Sequence, residues 1–280
     1  MSNSIQTIYQ QSLLALASYA ENLKFNIPRE PYIDALADKN MAERQASSFV
    51  DAWKVIDQYT DASGVSATVF ESTQGTRHLA IRGSESPGDY NADFILAVGF
   101  PSYLNPQFIQ LQTQVRSWID SGALNNGFTV SGHSLGGYLA AAVGTWFAEA
   151  GQVYTYNAPG LGGPVGNIVE AFRAAFGLDD TALAADIINI RGTGGISVIS
   201  GLGAQLSPPI LVETETSLNP LSNHSIGTLS ESLAIYALFN ALMPTLTIAK
   251  IGEIIQAAVN INERSLEYVF DEQNFIRQAA

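Results

Sequence analysis

A glycine-rich segment in the middle of the chain constrains the fold more than any other feature of the sequence. Residues 132–136 (Gly-His-Ser-Leu-Gly) have the pattern Gly-x-Ser-x-Gly, in which small residues flank a serine because a strand and a helix meet there at a sharp turn. Residues 128–131 supply an apolar strand upstream, and the alanine-rich residues 137–143 supply a helix that packs closely on a sheet. The segment therefore predicts a strand, a strained turn that presents Ser134, and a helix.

Short apolar runs alternate with helical patterns around this turn. Two of them, residues 67–70 and 78–81, are separated by Ser-Thr-Gln-Gly and predict a β-hairpin. Later runs, with helical patterns or loops between them, are residues 128–131, 153–156, 187–190 and 210–212. The alternation predicts an α/β fold with a mostly parallel central sheet flanked by helices. Together with the serine turn, it indicates the α/β-hydrolase fold.

Helical periodicity marks the segments between and beyond the strands. An amphipathic helix is expected from Ile5 to near Pro28. The sheet is expected to begin near residue 65, where the hairpin pattern starts. Residues 108–119 have a helical pattern, and residues 85–106, which lack one, are expected to form a lid. Helical patterns also cover residues 229–243, with Thr228 and Glu231 at capping-box spacing, and an extra C-terminal segment, residues 244–280.

Composition excludes several classes of function. The chain has 280 residues, of which 46% are hydrophobic, so a single domain over residues 1–280 is expected. A net charge of -13 argues against nucleic acid as a partner. The absence of cysteine excludes disulfides and thiolate ligands, and three histidines leave little for a metal cluster, so no metal or cofactor is expected.

The first residues lack a basic region followed by an apolar one, so no Sec-type signal peptide is expected. No apolar stretch is long enough for a transmembrane segment. These features predict a soluble protein that is cytoplasmic or secreted without a signal peptide.

A serine hydroxyl becomes a strong nucleophile only when a base takes its proton. Of the three histidines, His133 lies inside the turn with its side chain expected to point away, and His78 opens a strand upstream of the serine. His224 lies in a polar loop after the last strand, where the order serine, acid, histidine places the base. We therefore expect Ser134 as nucleophile and His224 as base, and the backbone N–H of Leu135 as an oxyanion donor.

Several motifs resemble the class 3 lipases, the fungal-type lipases and their bacterial and plant relatives. After the strand at residues 78–81 comes Arg-Gly-Ser, residues 82–84, followed by Asp89-Tyr90 and Asp93; the serine turn and residues 153–167 are also similar. The resemblance covers most of residues 5–240. It implies that Ser84 stabilises the oxyanion, that Asp89 and Asp93 fix the following loop, and that the lid covers an acyl pocket. It also implies an ester or lipid substrate and transient contact with a lipid interface.

The sequence departs from this family at the third member of the triad. The family has an aspartate after the strand that corresponds to residues 187–190, whereas residues 191–203 contain no carboxylate. Depending on the alignment, Thr193 or Ser197 takes that position. The alternatives are Glu213, Glu215, Asp186 or a backbone carbonyl, and without any acid a Ser-His dyad remains.

The resemblance favours a lipase or esterase that acts on acylglycerols. Other hydrolytic alternatives are a phospholipase A1 and a short-chain esterase, and an acyltransferase would use the same nucleophile. Because the triad acid is missing, a further alternative is a degenerate hydrolase that binds lipid or a partner without turnover. The sequence leaves the oligomeric state open.

Overall fold

The computed structural model describes residues 4–83, 105–125, 127–160, 187–194, 205, 207–215 and 220–259. Its helices are α1 (Ile5–Ala17), α2 (Arg29–Ala37), α3 (Glu43–Ala52), α4 (Pro106–Asp120), α5 (Leu135–Trp146), α6 (Pro220–His224), α7 (Ile226–Leu242) and α8 (Ile248–Val259). Its strands are β1 (Trp53–Thr60), β2 (Ser66–Ser72), β3 (Arg77–Ile81), β4 (Phe128–His133), β5 (Ala150–Tyr156), β6 (Ile187–Gly192) and β7 (Pro209–Val212).

The strands form one seven-stranded sheet in chain order, β1 to β7. The pairs β1–β2 and β2–β3 are antiparallel, and every pair from β3–β4 to β6–β7 is parallel. The predicted hairpin is thus confirmed as β2–β3, and the four later apolar runs are confirmed as β4 to β7. Because β4 is the central strand, the serine turn that follows it lies at the middle of the sheet edge.

The sheet separates two hydrophobic cores, as expected for strands that are buried on both faces. In β5, for example, Val153 packs into the core beneath α4 and α5, whereas Tyr154 and Tyr156 pack on the other face with residues of α1 and α7. This alternation follows from the period of two in a strand. The result is an α/β-hydrolase fold, with helices on both sides of a mostly parallel sheet.

The start of the sheet was predicted too late in the chain, because β1 begins at Trp53 and not near residue 65. Of the eight residues of β1, only Val55 is buried. A strand with so few buried positions has no clear apolar alternation, so its sequence pattern is weak.

The first helix was predicted too long. It ends at Ala17, and the Ser18 hydroxyl donates to the Ala15 carbonyl at 2.7 Å. Asn22 then has a φ of 59°, which is incompatible with a continuing helix. Ala20 and Leu23 are still buried, which is why the apolar spacing continued beyond the last helical residue.

The segment around His224 also differs from the prediction. His224 is the last residue of the short helix α6 and does not lie in a loop. The following helix begins at Ile226, and its N-cap is Ser225, whose hydroxyl accepts from the Gly227 N–H at 3.2 Å. The capping box expected at Thr228 and Glu231 is therefore wrong, because both residues lie inside the helix.

Other predicted segments are described only in part. The helix at residues 108–119 is confirmed as α4, whereas the predicted lid lies outside the described residues except for its last two positions. Within the extra C-terminal segment, α8 is helical as predicted, and residues 260–280 are not described. None of the helices in the described ranges combines the length and hydrophobicity that a bilayer span requires.

Candidate active site

The ends of the parallel strands bring the candidate residues to one edge of the sheet. Gly83 follows β3, Ser134 follows β4, Asn157 follows β5, Thr193 follows β6 and Glu213 follows β7. Because β3 to β7 are parallel, their carboxyl ends lie on the same side. This is the edge at which open α/β sheets place their ligands.

Ser134 has the backbone conformation of a strained turn between strand and helix. Its φ is 58° and its ψ is -127°, a combination that L-residues rarely adopt. The turn is held on both sides, because the Ser134 N–H donates to the Tyr156 carbonyl at 2.9 Å and the Ser134 carbonyl accepts from the Gly137 N–H at 2.9 Å. The hydroxyl is buried and has no hydrogen-bond partner among the described residues. It is therefore available for chemistry.

Two glycines allow the strand and the helix to approach each other at this turn. A Cβ on Gly132 would lie 2.1 Å from the Gly136 carbonyl oxygen, and a Cβ on Gly136 would lie 2.2 Å from the Ile81 carbonyl oxygen. Both contacts are with backbone, which has no freedom to move away. The pattern that identified the turn in the sequence thus has a steric cause in the structure.

Gly136→Ala is expected to destabilise the protein by about 3 kcal/mol, because the added methyl group overlaps the backbone of β3. The matched control is Gly227→Ala. Gly227 is likewise the second residue of its helix, but a Cβ there would lie at ordinary contact distances, 3.4 Å from the Ser225 hydroxyl oxygen and 4.0 Å from the Asn40 Cβ. The control is expected to be neutral or slightly stabilising. Denaturant unfolding of both variants checks the difference, and equal stabilities would contradict the steric account.

His78 is unsuited to act as the base. Its Nδ1 lies 2.6 Å from the Thr129 hydroxyl and its Nε2 lies 2.8 Å from the Ser131 hydroxyl, so both ring nitrogens are engaged. The side chain is fully buried, and burial lowers its pKa to about 3. His78 is a neutral residue of the core that links β3 to β4.

His133 is likewise engaged at both ring nitrogens. Its Nε2 lies 2.6 Å from the backbone carbonyl oxygen of His224, which only accepts, so Nε2 carries the proton and donates. Its Nδ1 therefore accepts from the Tyr19 hydroxyl, which lies 2.8 Å away. Burial lowers the pKa of His133 to about 4. The ring is neutral and has no nitrogen left for Ser134.

His224 lies directly beside the serine turn. Its ring centroid is 4.8 Å from that of His133, the residue before Ser134. The side chain is buried, and burial, followed by the proximity of His133, lowers the pKa of His224 well below its ordinary value. The imidazole is therefore neutral near pH 7, the form that a general base requires.

Asn157 belongs to the same network, although its role was not predicted from the sequence. It has a φ of 46°, a conformation that asparagine adopts more readily than most residues. Its side-chain NH₂ donates to the His224 carbonyl at 3.2 Å, and its side-chain oxygen accepts from the Gly192 N–H at 2.9 Å. The only sequence signal was an asparagine directly after a predicted strand.

The candidates for the triad acid are placed as follows. The Glu213 carboxylate accepts from the Thr193 hydroxyl at 2.6 Å and from Gln256 at 2.8 Å, and no contact between described residues joins it to His224. Glu215 is exposed. Asp186 and Ser197 lie outside the described residues. The structure therefore does not bring Glu213 or Thr193 together with the base.

Of the two candidate oxyanion donors, only Leu135 lies within the described residues. Leu135 is the first residue of α5, so its backbone N–H is one of the helix N–H groups without an intrahelical partner. Ser84 lies outside the described residues. Gly83, the residue before it, lies against the nucleophile, since a Cβ on Gly83 would be 3.2 Å from the Ser134 Cβ and 2.6 Å from the Tyr19 hydroxyl oxygen. The chain that leads to Ser84 thus passes directly beside Ser134.

A comparison with protein families assigns the chain to a family. The family model described as a Tle-like phospholipase domain matches residues 12–187, more than half of the chain. The chain belongs to this phospholipase-like family. The match includes the serine turn and Gly83 but ends before His224. Family membership makes the chain an ester hydrolase of the lipolytic type, and it confirms the relationship to lipases that the sequence motifs predicted.

Two solved structures also show similarity. The M37 lipase is 13% identical, with a TM-score of 0.46 and coverage of 95% of this chain and 99% of that chain. Lipase II from Rhizopus niveus is 18% identical, with a TM-score of 0.37 and coverage of 67% of this chain and 71% of that chain. Among curated proteins, no sequence matches.

Proposed function

We propose that this protein hydrolyses a carboxylic ester bond of phospholipids, with Ser134 as nucleophile and His224 as general base. One observation carries the proposal. The strained turn holds a buried serine hydroxyl without a described hydrogen-bond partner, next to the histidine that remains once His78 and His133 are engaged at both ring nitrogens. A buried serine hydroxyl and a neutral imidazole at the same turn are the groups that nucleophilic ester hydrolysis requires.

The proposed reaction follows the acyl-enzyme route. The Ser134 oxygen attacks the ester carbonyl carbon while its proton passes to a ring nitrogen of His224, and the N–H groups of Leu135 and Ser84 donate to the resulting oxyanion. When the carbonyl re-forms, the ester C–O bond breaks and the leaving lysophospholipid oxygen takes the proton from the imidazolium. Water then attacks the acyl-enzyme in the same way and releases a fatty acid.

The family description favours phospholipids as substrates, because it names a phospholipase domain. The Arg-Gly-Ser segment at residues 82–84 and its resemblance to class 3 lipases favour a second candidate, acylglycerols. Both substrates present the same ester to Ser134 and differ in the leaving group. The mechanism is therefore common to both candidates.

The test compares phosphatidylcholine in mixed micelles, tributyrin emulsions and nitrophenyl esters, with Ser134→Ala as the background for each. Release of a fatty acid and a lysophospholipid supports the proposal, and two different acyl chains on one phospholipid identify the position cleaved. Turnover of acylglycerols alone would replace the phospholipase by a lipase. Release of the head group without a fatty acid would contradict cleavage at the carboxylic ester.

The pH profile of the reaction is expected to reflect the environment of His224. Because burial lowers the pKa of His224 below its ordinary value of 6.5, the base stays neutral in mildly acidic solution. The acid limb of kcat/KM should therefore lie below the ordinary histidine value of 6.5, since this parameter reports the free enzyme. Initial rates on a water-soluble nitrophenyl ester measure it, with recovery of activity at pH 7.5 as the control for unfolding. An acid limb at or above pH 6.5 would contradict this expectation.

A further inference from the structure

We propose that His133 and Asn157 are positioning residues that hold His224 through its backbone carbonyl. The inference rests on the proposed function, in which His224 is the base. Both side chains donate to the same carbonyl oxygen, His133 at 2.6 Å and Asn157 at 3.2 Å. We refer to these two hydrogen bonds as the carbonyl clamp.

The first half of the clamp comes from the strand that carries the nucleophile. His133 is the last residue of β4 and directly precedes Ser134. The Tyr19 hydroxyl, by donating to Nδ1, keeps the proton on Nε2, where it faces the His224 carbonyl. Tyr19 and His133 therefore fix the tautomer on which this half of the clamp depends.

The second half comes from the neighbouring strand. Asn157 directly follows β5, and its backbone N–H donates to the Ile190 carbonyl at 2.9 Å. Its side-chain oxygen accepts from the Gly192 N–H, so the amide group is oriented with its NH₂ toward His224. Asn157 is buried, which favours a fully paired side chain over a mobile one.

The clamp ties the base to the same strands that fix the nucleophile. His224 ends a helix of five residues, which has little stability of its own. The sequence separation between His133 and His224 is 91 residues, so the chain itself does not fix their distance. Hydrogen bonds from β4 and β5 set that distance instead. A displacement of about 1 Å between catalytic groups lowers turnover by roughly a hundredfold.

His133→Asn and His133→Gln form a matched pair that tests the first half. The glutamine amide reaches the position of Nε2 and retains a donor toward the His224 carbonyl, whereas the shorter asparagine does not. We expect His133→Asn to lower kcat for nitrophenyl butyrate at least about tenfold with KM changed less than about twofold, and His133→Gln to recover to within about threefold of wild type. Rates are expressed per active site, titrated with a fluorophosphonate, so that loss of folded protein does not count.

Asn157→Asp tests the second half and remains informative if His133→Asn fails to fold. The aspartate keeps an oxygen facing the Gly192 N–H and tolerates the same backbone conformation, but it presents an oxygen in place of the donor to His224. We expect kcat per active site at pH 8 to fall at least about tenfold. A folded Asn157→Asp or His133→Asn variant with the wild-type kcat would overturn the clamp.

The proposed function and the clamp fail in different ways. If Ser134→Ala or His224→Ala retains full activity, the proposed function itself is wrong. If both abolish activity while His133→Asn and Asn157→Asp turn over like wild type, the proposed function stands and only the clamp is wrong. Loss of activity in all four variants, with rescue by His133→Gln, supports both.

Discussion

Replacing Ser134 by alanine is expected to lower kcat for ester hydrolysis by roughly 10⁴- to 10⁶-fold, because loss of a serine nucleophile has effects of this size in serine hydrolases. Stability should remain within about 1 kcal/mol of wild type or rise, because the Ser134 hydroxyl is buried without a described hydrogen-bond partner. Initial rates with nitrophenyl esters and denaturant unfolding measure the two effects.

Ser131→Ala is the matched control for this prediction. Ser131 is also buried and lies three residues earlier on the same segment, but its hydroxyl pairs with the Nε2 of His78 at 2.8 Å. We expect this variant to lose about 1–3 kcal/mol of stability, since it leaves a buried ring nitrogen unpaired. Its kcat per folded molecule should stay within about twofold of wild type. A variant at Ser134 that loses stability but keeps its activity would contradict the assignment.

Acid is expected to destabilise the protein steeply, because all three histidines are buried in their neutral form. Burial lowers the pKa of His78 to about 3, of His133 to about 4 and of His224 well below its ordinary value. Below the unfolded value of 6.5, the unfolded chain binds protons that the folded chain does not, so the free energy of unfolding falls as the pH falls. Each histidine lowers the free energy of unfolding by about 1.4 kcal/mol per pH unit, which is roughly 4 kcal/mol per pH unit for the three together.

Denaturant unfolding between about pH 6 and pH 4.5 measures this slope, and His78→Gln isolates one histidine. Whatever its stability at pH 7, this variant should lose about 1.4 kcal/mol per pH unit of the wild-type dependence. The comparison removes the contribution of the carboxylates, which titrate in both proteins. An unchanged slope in His78→Gln would show that His78 does not keep its neutral form in the folded state.

The strands were predictable where their residues are buried. In β3 and β5, side chains on both faces contact a core, so short apolar runs mark them in the sequence. β1 buries only Val55 and gave no such signal. The end of α1 was misplaced because Ala20 and Leu23 are buried without being helical. The apolar spacing of a sequence indicates which residues are buried. At Ala20 and Leu23 it did not indicate a helix.

The candidate site was likewise predictable only in part. Ser134 was predictable because the glycines that its turn requires lie beside it in the sequence, and His224 followed from chain order and the scarcity of histidine. The hydrogen bonds of His133 and Asn157 to the His224 carbonyl were not predictable, because they join residues 91 and 67 positions apart. Only the arrangement of β4 and β5 beside α6 brings these groups together.

Identification of the residue that a fluorophosphonate modifies tests the central claim most directly. We predict that the intact wild-type protein gains the mass of one phosphonyl group, that peptide mapping places it on Ser134, and that Ser134→Ala takes up none. His224→Ala should react far more slowly than wild type, because its serine lacks a base. Labelling at another residue, or labelling that persists in Ser134→Ala, would contradict the account.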